Sequence, residues 1–231
     1  MSKFIKLGPC PHCGSKDNRA EYTNGYWCFG CSKYEPKDDT DTLRQRVYNT
    51  NTLNKNYNSL LDTTENIPMK PMQWLLKYNI TQKEITKYGI SWAPIKQLLV
   101  LIQRKNYWQG RNFGLSKIKY MSSGNKPLTI YGEGGTLLVV EDVLSAIKIA
   151  RLRHEGYCAT PLLGSSMSKQ AQTQLVKRYK KIHIWLDRDK AKNAVSIRNR
   201  LRSLGVNSRV IITPLDPKEY NKTEISEWLK N

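Results

Sequence analysis

Two cysteine pairs decide how the first part of this chain folds: Cys10-Pro-His-Cys13 and, after fourteen residues, Cys28-Phe-Gly-Cys31. Four thiolates at this spacing can surround one zinc ion tetrahedrally, and Asn24-Gly25 between the pairs predicts a two-residue hairpin turn. We therefore predict a zinc ribbon over residues 1–36, too small to fold without its one structural zinc ion. The alternative is two disulfides, which a chain without secretory features disfavours.

The charge of the chain is strongly unbalanced. The 231 residues include 38 Lys and Arg against 19 Asp and Glu, a formal net charge of +19. Such an excess predicts a polyanionic partner, with nucleic acid first and an anionic membrane surface second, although a merely basic solvated surface is the simpler alternative. No apolar run is long enough for a signal peptide or a membrane span, so we expect a soluble protein in a reducing compartment.

The composition changes after the ribbon. Residues 37–66 contain six Asn and six Thr, mixed charges and few aliphatic side chains. A segment of this kind buries too little apolar surface to fold by itself. We predict a flexible linker here, with room for a short helix.

Residues 67–135 predict a first subdomain of mixed structure. A short helix is expected over residues 72–78, and Thr81-Gln-Lys-Glu84 is a capping box that opens a second helix, which Gly89 ends. Strands are expected over residues 98–103 and 107–113, joined by a polar turn.

Residues 136–231 alternate between strand and helix patterns, which predicts a parallel sheet flanked by helices. The fold class is thus α/β and α+β behind a β ribbon. Strands are expected over residues 137–140, 157–163, 182–186 and 208–212. Helices are expected over residues 143–153, 168–179, 191–204 and 224–229.

Acidic residues follow three of these strands. Glu141 and Asp142 follow the first, Asp187 and Asp189 the third, and Asp216 the fourth. Chemistry in open parallel sheets collects just past the carboxyl ends of strands, and clustered carboxylates need a cation to neutralise them. We predict one or two Mg²⁺ or Mn²⁺ ions here, with Glu141, Asp142, Asp187, Asp189 and Asp216 as ligands. Taken singly, these acids are also typical of a solvated loop or a helix N-terminus.

At this point the chain resembles the bacteriophage and bacterial replicative DNA primases over nearly its whole length. Leu137-Leu-Val-Val-Glu141, Ile184-Trp-Leu-Asp187-Arg-Asp189 and Leu215-Asp216-Pro-Lys-Glu-Tyr220 are similar to the acidic pattern of the family's TOPRIM domain. Gln109-Gly-Arg111-Asn-Phe113 and Lys119-Tyr120-Met-Ser-Ser-Gly124 resemble the basic part of its polymerase site. The resemblance implies a zinc ribbon (1–36), a linker (37–66) and an RNA polymerase domain made of an N-terminal subdomain (67–135) and a TOPRIM subdomain (136–231).

The implied function is synthesis of short RNA primers from NTPs on single-stranded DNA, by metal-assisted nucleotidyl transfer. Glu141, Asp187, Asp189 and Asp216 would serve catalysis together with Arg111 and Lys119, which would hold phosphates. The ribbon would bind template through its aromatic and basic side chains, which are Arg19, Tyr26, Trp27 and Lys33. The implied location is cytoplasmic, in the bacterial host if the protein is phage-encoded. No G-x-x-x-x-G-K-[ST] phosphate loop is present, so a helicase, like the DNA polymerase, would be a separate chain.

Two departures from the family pattern keep alternatives open. Many members carry a second acid four residues after the first Glu, where this chain has Ser145, and many continue D-x-D with Ala-Gly, where it has Lys190-Ala191-Lys192. One alternative is a TOPRIM nuclease or topoisomerase-like enzyme, since the same acids support phosphodiester cleavage. The other is a non-catalytic single-stranded-DNA-binding module with a degraded acidic site.

Overall fold

The computed structural model describes residues 3–31, 33–37, 60–164 and 166–230. The chain divides into two compact units, residues 1–57 and residues 58–231. Most of the predicted linker, including any short helix within residues 38–59, lies outside the described residues. Within the described ranges, no helix has the length and apolar character needed to cross a bilayer.

The first unit is a four-stranded antiparallel sheet whose strands lie in chain order. The strands are β1 (Phe4–Gly8), β2 (Arg19–Tyr22), β3 (Gly25–Cys28) and β4 (Tyr34–Pro36). Its described apolar core consists of little more than Cys10, Ala20 and Cys28. So small a core does not by itself offset the entropy lost on folding, in agreement with the prediction of a ribbon stabilised by a metal. All five cysteines of the chain are free, so the disulfide alternative is wrong.

The ribbon hairpin turns one residue earlier than the sequence predicts. Tyr22 pairs with Gly25, so Thr23 and Asn24 form the turn and Gly25 begins β3. Gly25 also pairs with Pro36 on the other side, and a Cβ atom at Gly25 would lie 2.6 Å from the Glu35 carbonyl oxygen. The glycine therefore serves close strand packing rather than the turn.

The second unit begins with a segment that the sequence assigned to the linker. Residues Thr64 and Trp92 exchange backbone hydrogen bonds of 2.8 Å, so the end of that segment is part of this unit. Helices α1 (Met69–Lys77) and α2 (Gln82–Tyr88) follow, and α2 has the predicted capping box and ends at the predicted left-handed glycine. An antiparallel sheet comes next, with strands β5 (Ser91–Ala93), β6 (Leu98–Arg104), β7 (Tyr107–Asn112) and β8 (Tyr120–Gly124).

A three-stranded parallel sheet forms the rest of this unit, with β9 between β10 and β11. In register, Val140 lies beside Pro161 on one side and Trp185 on the other, so the carboxyl ends of all three strands are level. The strands and then the helices are β9 (Thr136–Val140), β10 (Tyr157–Pro161), β11 (Lys181–Trp185), α3 (Val143–Ala150), α4 (Lys169–Arg178), α5 (Ala191–Ser203) and α6 (Lys222–Lys230).

The predicted fourth strand, residues 208–212, is wrong as a regular strand. This segment makes only isolated parallel bridges to β11, one of them between Ile184 and Val210. Backbone hydrogen bonds to β11 are nevertheless present, because the N–H groups of Ile182 and Ile184 donate to the carbonyl oxygens of Asn207 and Arg209 at 3.0 Å and 2.9 Å. The segment still runs beside β11 and so carries the following residues toward the same sheet edge.

Two apolar layers cover the parallel sheet. Every residue of α3 is buried, on the face shared with α1 and α2, whereas α4 and α5 contribute to a separate cluster on the other face. Burial on both faces matches the continuous apolar run of β9. The sheet is thus a rigid platform, and its carboxyl edge is where the acidic residues emerge.

Candidate metal centres and active site

The four ribbon thiols form one compact group. All four sulfur atoms lie within 4.8 Å of one another, with 3.8 Å between Cys10 and Cys31 and 3.6 Å between Cys13 and Cys28. A tetrahedral zinc site with metal–sulfur bonds near 2.3 Å requires sulfur–sulfur separations of about 3.8 Å. The predicted ligand set therefore has the geometry of a closed structural zinc site.

The ribbon backbone favours thiolate at one ligand. Backbone N–H groups of Cys31 and then Gly30 donate to the sulfur of Cys28 and, against the effect of burial, lower the pKa of Cys28 to about 6. Because zinc binds the thiolate rather than the thiol, this arrangement prepares Cys28 for the metal.

The predicted DNA-binding residues of the ribbon are partly engaged with each other. The Arg19 guanidinium lies 3.8 Å from the centre of the Tyr26 ring and also pairs with Glu35. Lys33 Nζ lies 3.2 Å from His12 Nδ1. Trp27 is half-buried, whereas Phe29 is 61% exposed. Arg19 is therefore held by both a ring contact and an ion pair within the ribbon.

Two carboxylates at the carboxyl edge of the parallel sheet each have one oxygen without a partner among the described residues. Glu141 follows β9 and Asp187 follows β11, and Glu141 Oε2 and Asp187 Oδ1 are buried without a hydrogen bond to any described residue. Burial, and then the negative charges of Glu141 and Asp216, raises the pKa of Asp187 to about 7. Burial likewise raises the pKa of Glu141. Buried carboxylates in this state are suited to bind a cation.

Asp216 reaches this edge through a short chain of hydrogen bonds. The indole of Trp185 donates to Thr213 Oγ1 at 2.8 Å, and that hydroxyl donates to the Leu215 carbonyl oxygen at 2.7 Å. The backbone N–H of Leu215 donates in turn to Tyr220 Oη at 3.2 Å. These contacts fix the residues just before Asp216 against the end of β11.

A lysine that sequence reasoning missed lies among the acids. Lys218 Nζ donates to Asp142 Oδ2 at 2.8 Å and to Asp216 Oδ2 at 2.6 Å, and the lysine side chain is 12% exposed. Burial alone would lower the pKa of Lys218, but the two carboxylates overcome it and raise that pKa well above its usual value. Asp142 Oδ1 meanwhile accepts from the Ser145 backbone N–H at 2.9 Å and caps α3.

Asp189, the remaining predicted acid, and Ser145, where many primases have a second acid, have different surroundings from these residues. Asp189 is 69% exposed in its side chain and pairs with Lys190 at 2.8 Å. Ser145 is buried, and its hydroxyl makes no hydrogen bond within the part of the chain that the structure describes. The negative charges of Glu141 and Asp216 thus act on Asp187, whereas those of Asp142 and Asp189 act on Glu141.

The basic side of the site is organised by an aromatic cluster. Arg111 on β7 donates to Tyr120 Oη at 3.3 Å, and its guanidinium lies 4.5 Å from the centre of the Trp74 ring and 5.8 Å from that of Phe113. Lys119 is exposed beside it, directly before β8. Sequence reasoning missed Trp74, although its spacing of four residues from Tyr78 on one helix face was the available signal.

The residues present fit a magnesium or manganese ion. Among the described residues, the thiols are the one group of three or more ligands within 4.8 Å of one another, so no three of the carboxylates lie that close together. Mg²⁺ is commonly held by only one or two carboxylates, with waters and substrate phosphates completing its shell. The buried unpartnered oxygens of Glu141 and Asp187 meet that requirement.

Comparison with solved structures identifies the fold. The Aquifex aeolicus primase structure containing zinc-binding and RNA polymerase domains is 18% identical, covers 99% of this chain and 80% of its own, and has a TM-score of 0.56. This chain has the fold of those primase domains. The DnaG catalytic core (16% identity, 81% and 79% coverage) and a DnaG primase catalytic domain bound to single-stranded DNA (17% identity, 83% and 78% coverage) each have a TM-score of 0.55. No protein-family model and no curated protein matches the sequence.

The predicted fold class is confirmed by these likenesses. The N-terminal antiparallel sheet with four clustered cysteines and the following mixed α/β unit correspond to the zinc-binding and RNA polymerase domains of primases. At these identities the likeness establishes the primase fold, and the activity has to be argued from the residues.

Proposed function

We propose that this protein is a DNA primase that makes short RNA primers on single-stranded DNA. The observation that carries the proposal is the pair of buried, unpartnered carboxylate oxygens of Glu141 and Asp187 at the carboxyl edge of the sheet, within a primase fold. A divalent ion bound there would supply charge neutralisation and activation of the primer 3′-hydroxyl. Residues 136–231 would then act as a TOPRIM subdomain, with Asp216 and Asp189 supporting the same site.

The basic residues would position the nucleotide. Arg111 is held by Trp74 and Tyr120, so its guanidinium is pre-oriented and loses little freedom on binding a triphosphate. Lys119 is exposed and would add a mobile charge for phosphate on the nucleotide or template. The net charge of +19 would draw nucleic acid to the protein as a whole.

The zinc ribbon would bind the template strand. Tyr26, Trp27 and Phe29 offer aromatic faces for base stacking, and Arg19 and Lys33 supply positive charge. A DnaG primase catalytic domain with this fold has been solved with single-stranded DNA. A replicative helicase and a DNA polymerase, supplied as separate chains, would be the further partners.

Primer synthesis on single-stranded templates tests the proposal. Zinc-replete protein is incubated with NTPs and Mg²⁺ or Mn²⁺, and RNA products are resolved by length. Asp187→Asn should lower synthesis by at least about a hundredfold, because the variant removes a buried charge from the metal site. Asp62→Asn changes an exposed carboxylate outside the site and should leave synthesis intact.

The ribbon is tested by a second pair of variants. Cys28→Ser should lose zinc and template choice while keeping some synthesis on homopolymer, whereas Cys158→Ala, at a buried cysteine outside the ribbon, should keep both.

Two results would replace the proposal with an alternative. Asp187-dependent loss of DNA without NTPs would establish a nuclease. Tight single-strand binding with no RNA product, for any template or metal, would establish the binding module that Ser145 allows.

A further inference from the structure

The four acids nearest the site divide into two pairs with different environments. Asp142 and Asp216 are bridged by the Lys218 ammonium, at 2.8 Å and 2.6 Å. Glu141 and Asp187 each keep a buried oxygen without a hydrogen bond to any described residue. The first pair thus shares one positive charge that the chain itself supplies, while the second has no bridging cation and is left open to an external one.

The Lys218 bridge is built into the fold rather than formed by a loose surface side chain. Lys218 lies in a single 3-10 turn, Pro217–Glu219. Asp216 caps this turn, and its backbone N–H donates to Glu219 Oε2 at 3.1 Å. The lysine side chain is 12% exposed, and its partner Asp142 is fixed by capping α3. Both the donor and the acceptors are therefore held before any ligand binds.

We propose that Lys218 acts as a resident cation in place of one divalent ion, so that this acidic site binds a single Mg²⁺ or Mn²⁺, on Glu141 and Asp187. Both oxygens of Asp142 are in use, one with Lys218 and one with the Ser145 N–H. A second divalent ion on Asp142 and Asp216 would have to displace the ammonium or lie against it, and like charges at that range repel. The number of bound ions is a property of this acidic site alone. Its importance for primer synthesis rests on the proposed function.

Counting bound Mn²⁺ tests the inference without any catalytic step. Zinc-replete full-length protein is titrated with Mn²⁺, in the absence of nucleotide and DNA, and free Mn²⁺ is followed by electron paramagnetic resonance. The wild type should bind one ion per chain. Asp187→Asn should abolish that ion, whereas Asp216→Asn should leave it bound.

Changing the lysine gives the decisive comparison. Lys218→Met removes the charge at similar length and should raise the count from one ion to two, while Lys218→Arg should keep one. Lys222→Met, at an exposed lysine of α6, is the matched control and should also keep one. If Lys218→Met does not fold, the wild type with its two aspartate variants still decides the question.

Several results would overturn the inference. They are two ions on the wild type, loss of the single ion in Asp216→Asn but not in Asp187→Asn, no bound Mn²⁺ at all, and one ion on a folded Lys218→Met. Primer synthesis measured on the same samples separates the two ideas. One bound ion without RNA product would contradict the proposed function alone, and two bound ions with RNA product would contradict only the role of Lys218.

Discussion

The raised pKa of Asp187 predicts an unusual dependence of stability on pH. Burial and the neighbouring charges of Glu141 and Asp216 raise this pKa from 3.8 to about 7, so the folded protein holds a proton that the unfolded chain has released. Stability from this group is complete below the unfolded pKa and is lost as the pH rises through 7. Without a divalent ion, the second unit should therefore be less stable at pH 8 than at pH 5.

The size of the effect follows from the same pKa difference. Between pH 5 and the folded pKa of about 7 lie about 2 pH units, which correspond to about 3 kcal/mol at 1.36 kcal/mol per pH unit. Because Asp187 is only half-buried, solvent screening reduces the expected effect to about 2 kcal/mol. For a unit of this size, that free energy corresponds to a change in Tm of roughly 4–8 °C.

Calorimetry of zinc-replete protein in magnesium-free buffer at pH 5 and pH 8 measures this effect. The informative quantity is the change in Tm between pH 5 and pH 8 of the wild type minus the same change of Asp187→Asn. This subtraction cancels the contributions of the other titrating groups. Added Mg²⁺ should stabilise the wild type more at pH 8 than at pH 5, since it binds the ionised carboxylate. The reasoning would be refuted if the Tm changed equally between pH 5 and pH 8 in the wild type and in Asp187→Asn. Stabilisation by Mg²⁺ that does not depend on pH would also refute it.

Three further predictions concern packing. Gly25→Ala should weaken zinc retention by the ribbon, because the added methyl group would lie 2.6 Å from a backbone carbonyl oxygen. Chelator-induced zinc release measures this effect. Gly8→Ala, where an added methyl group would have nothing within 4 Å, should behave as the wild type. Glu84→Gln should lower the free energy of unfolding by about 2–4 kcal/mol in urea titrations at pH 7, because it breaks a two-bond ion pair with Arg151 that is mostly buried. Leu75→Ala should cost about 2–5 kcal/mol in the same titration, since Leu75 is fully buried in the core, and an unchanged midpoint would contradict that packing.

The sequence predicts best the features that depend on residues close together in the chain. These are the cysteine pairs, the Thr81 to Glu84 capping box and the alternating strand and helix patterns, and the structure has all three. Strands β1, β4, β5 and β8 were missed because they are short and depend on pairing with neighbours. The hairpin shift at Gly25 has the same cause, since the residue is required by β4 rather than by the turn.

The site was predicted as far as strand topology allows. Parallel strands end at one edge, so the sequence alone could place Glu141 and Asp187 together, and both follow strands whose carboxyl ends are level in the sheet. The sequence could not show which acids remain unpartnered, because Lys218 and Asp142 are 76 positions apart. A pattern of acids gives the number of negative charges, but only the contacts show how many of those charges the chain neutralises itself. In a metal site, the negative charge that the chain's own cations leave unpaired determines how many metal ions can bind.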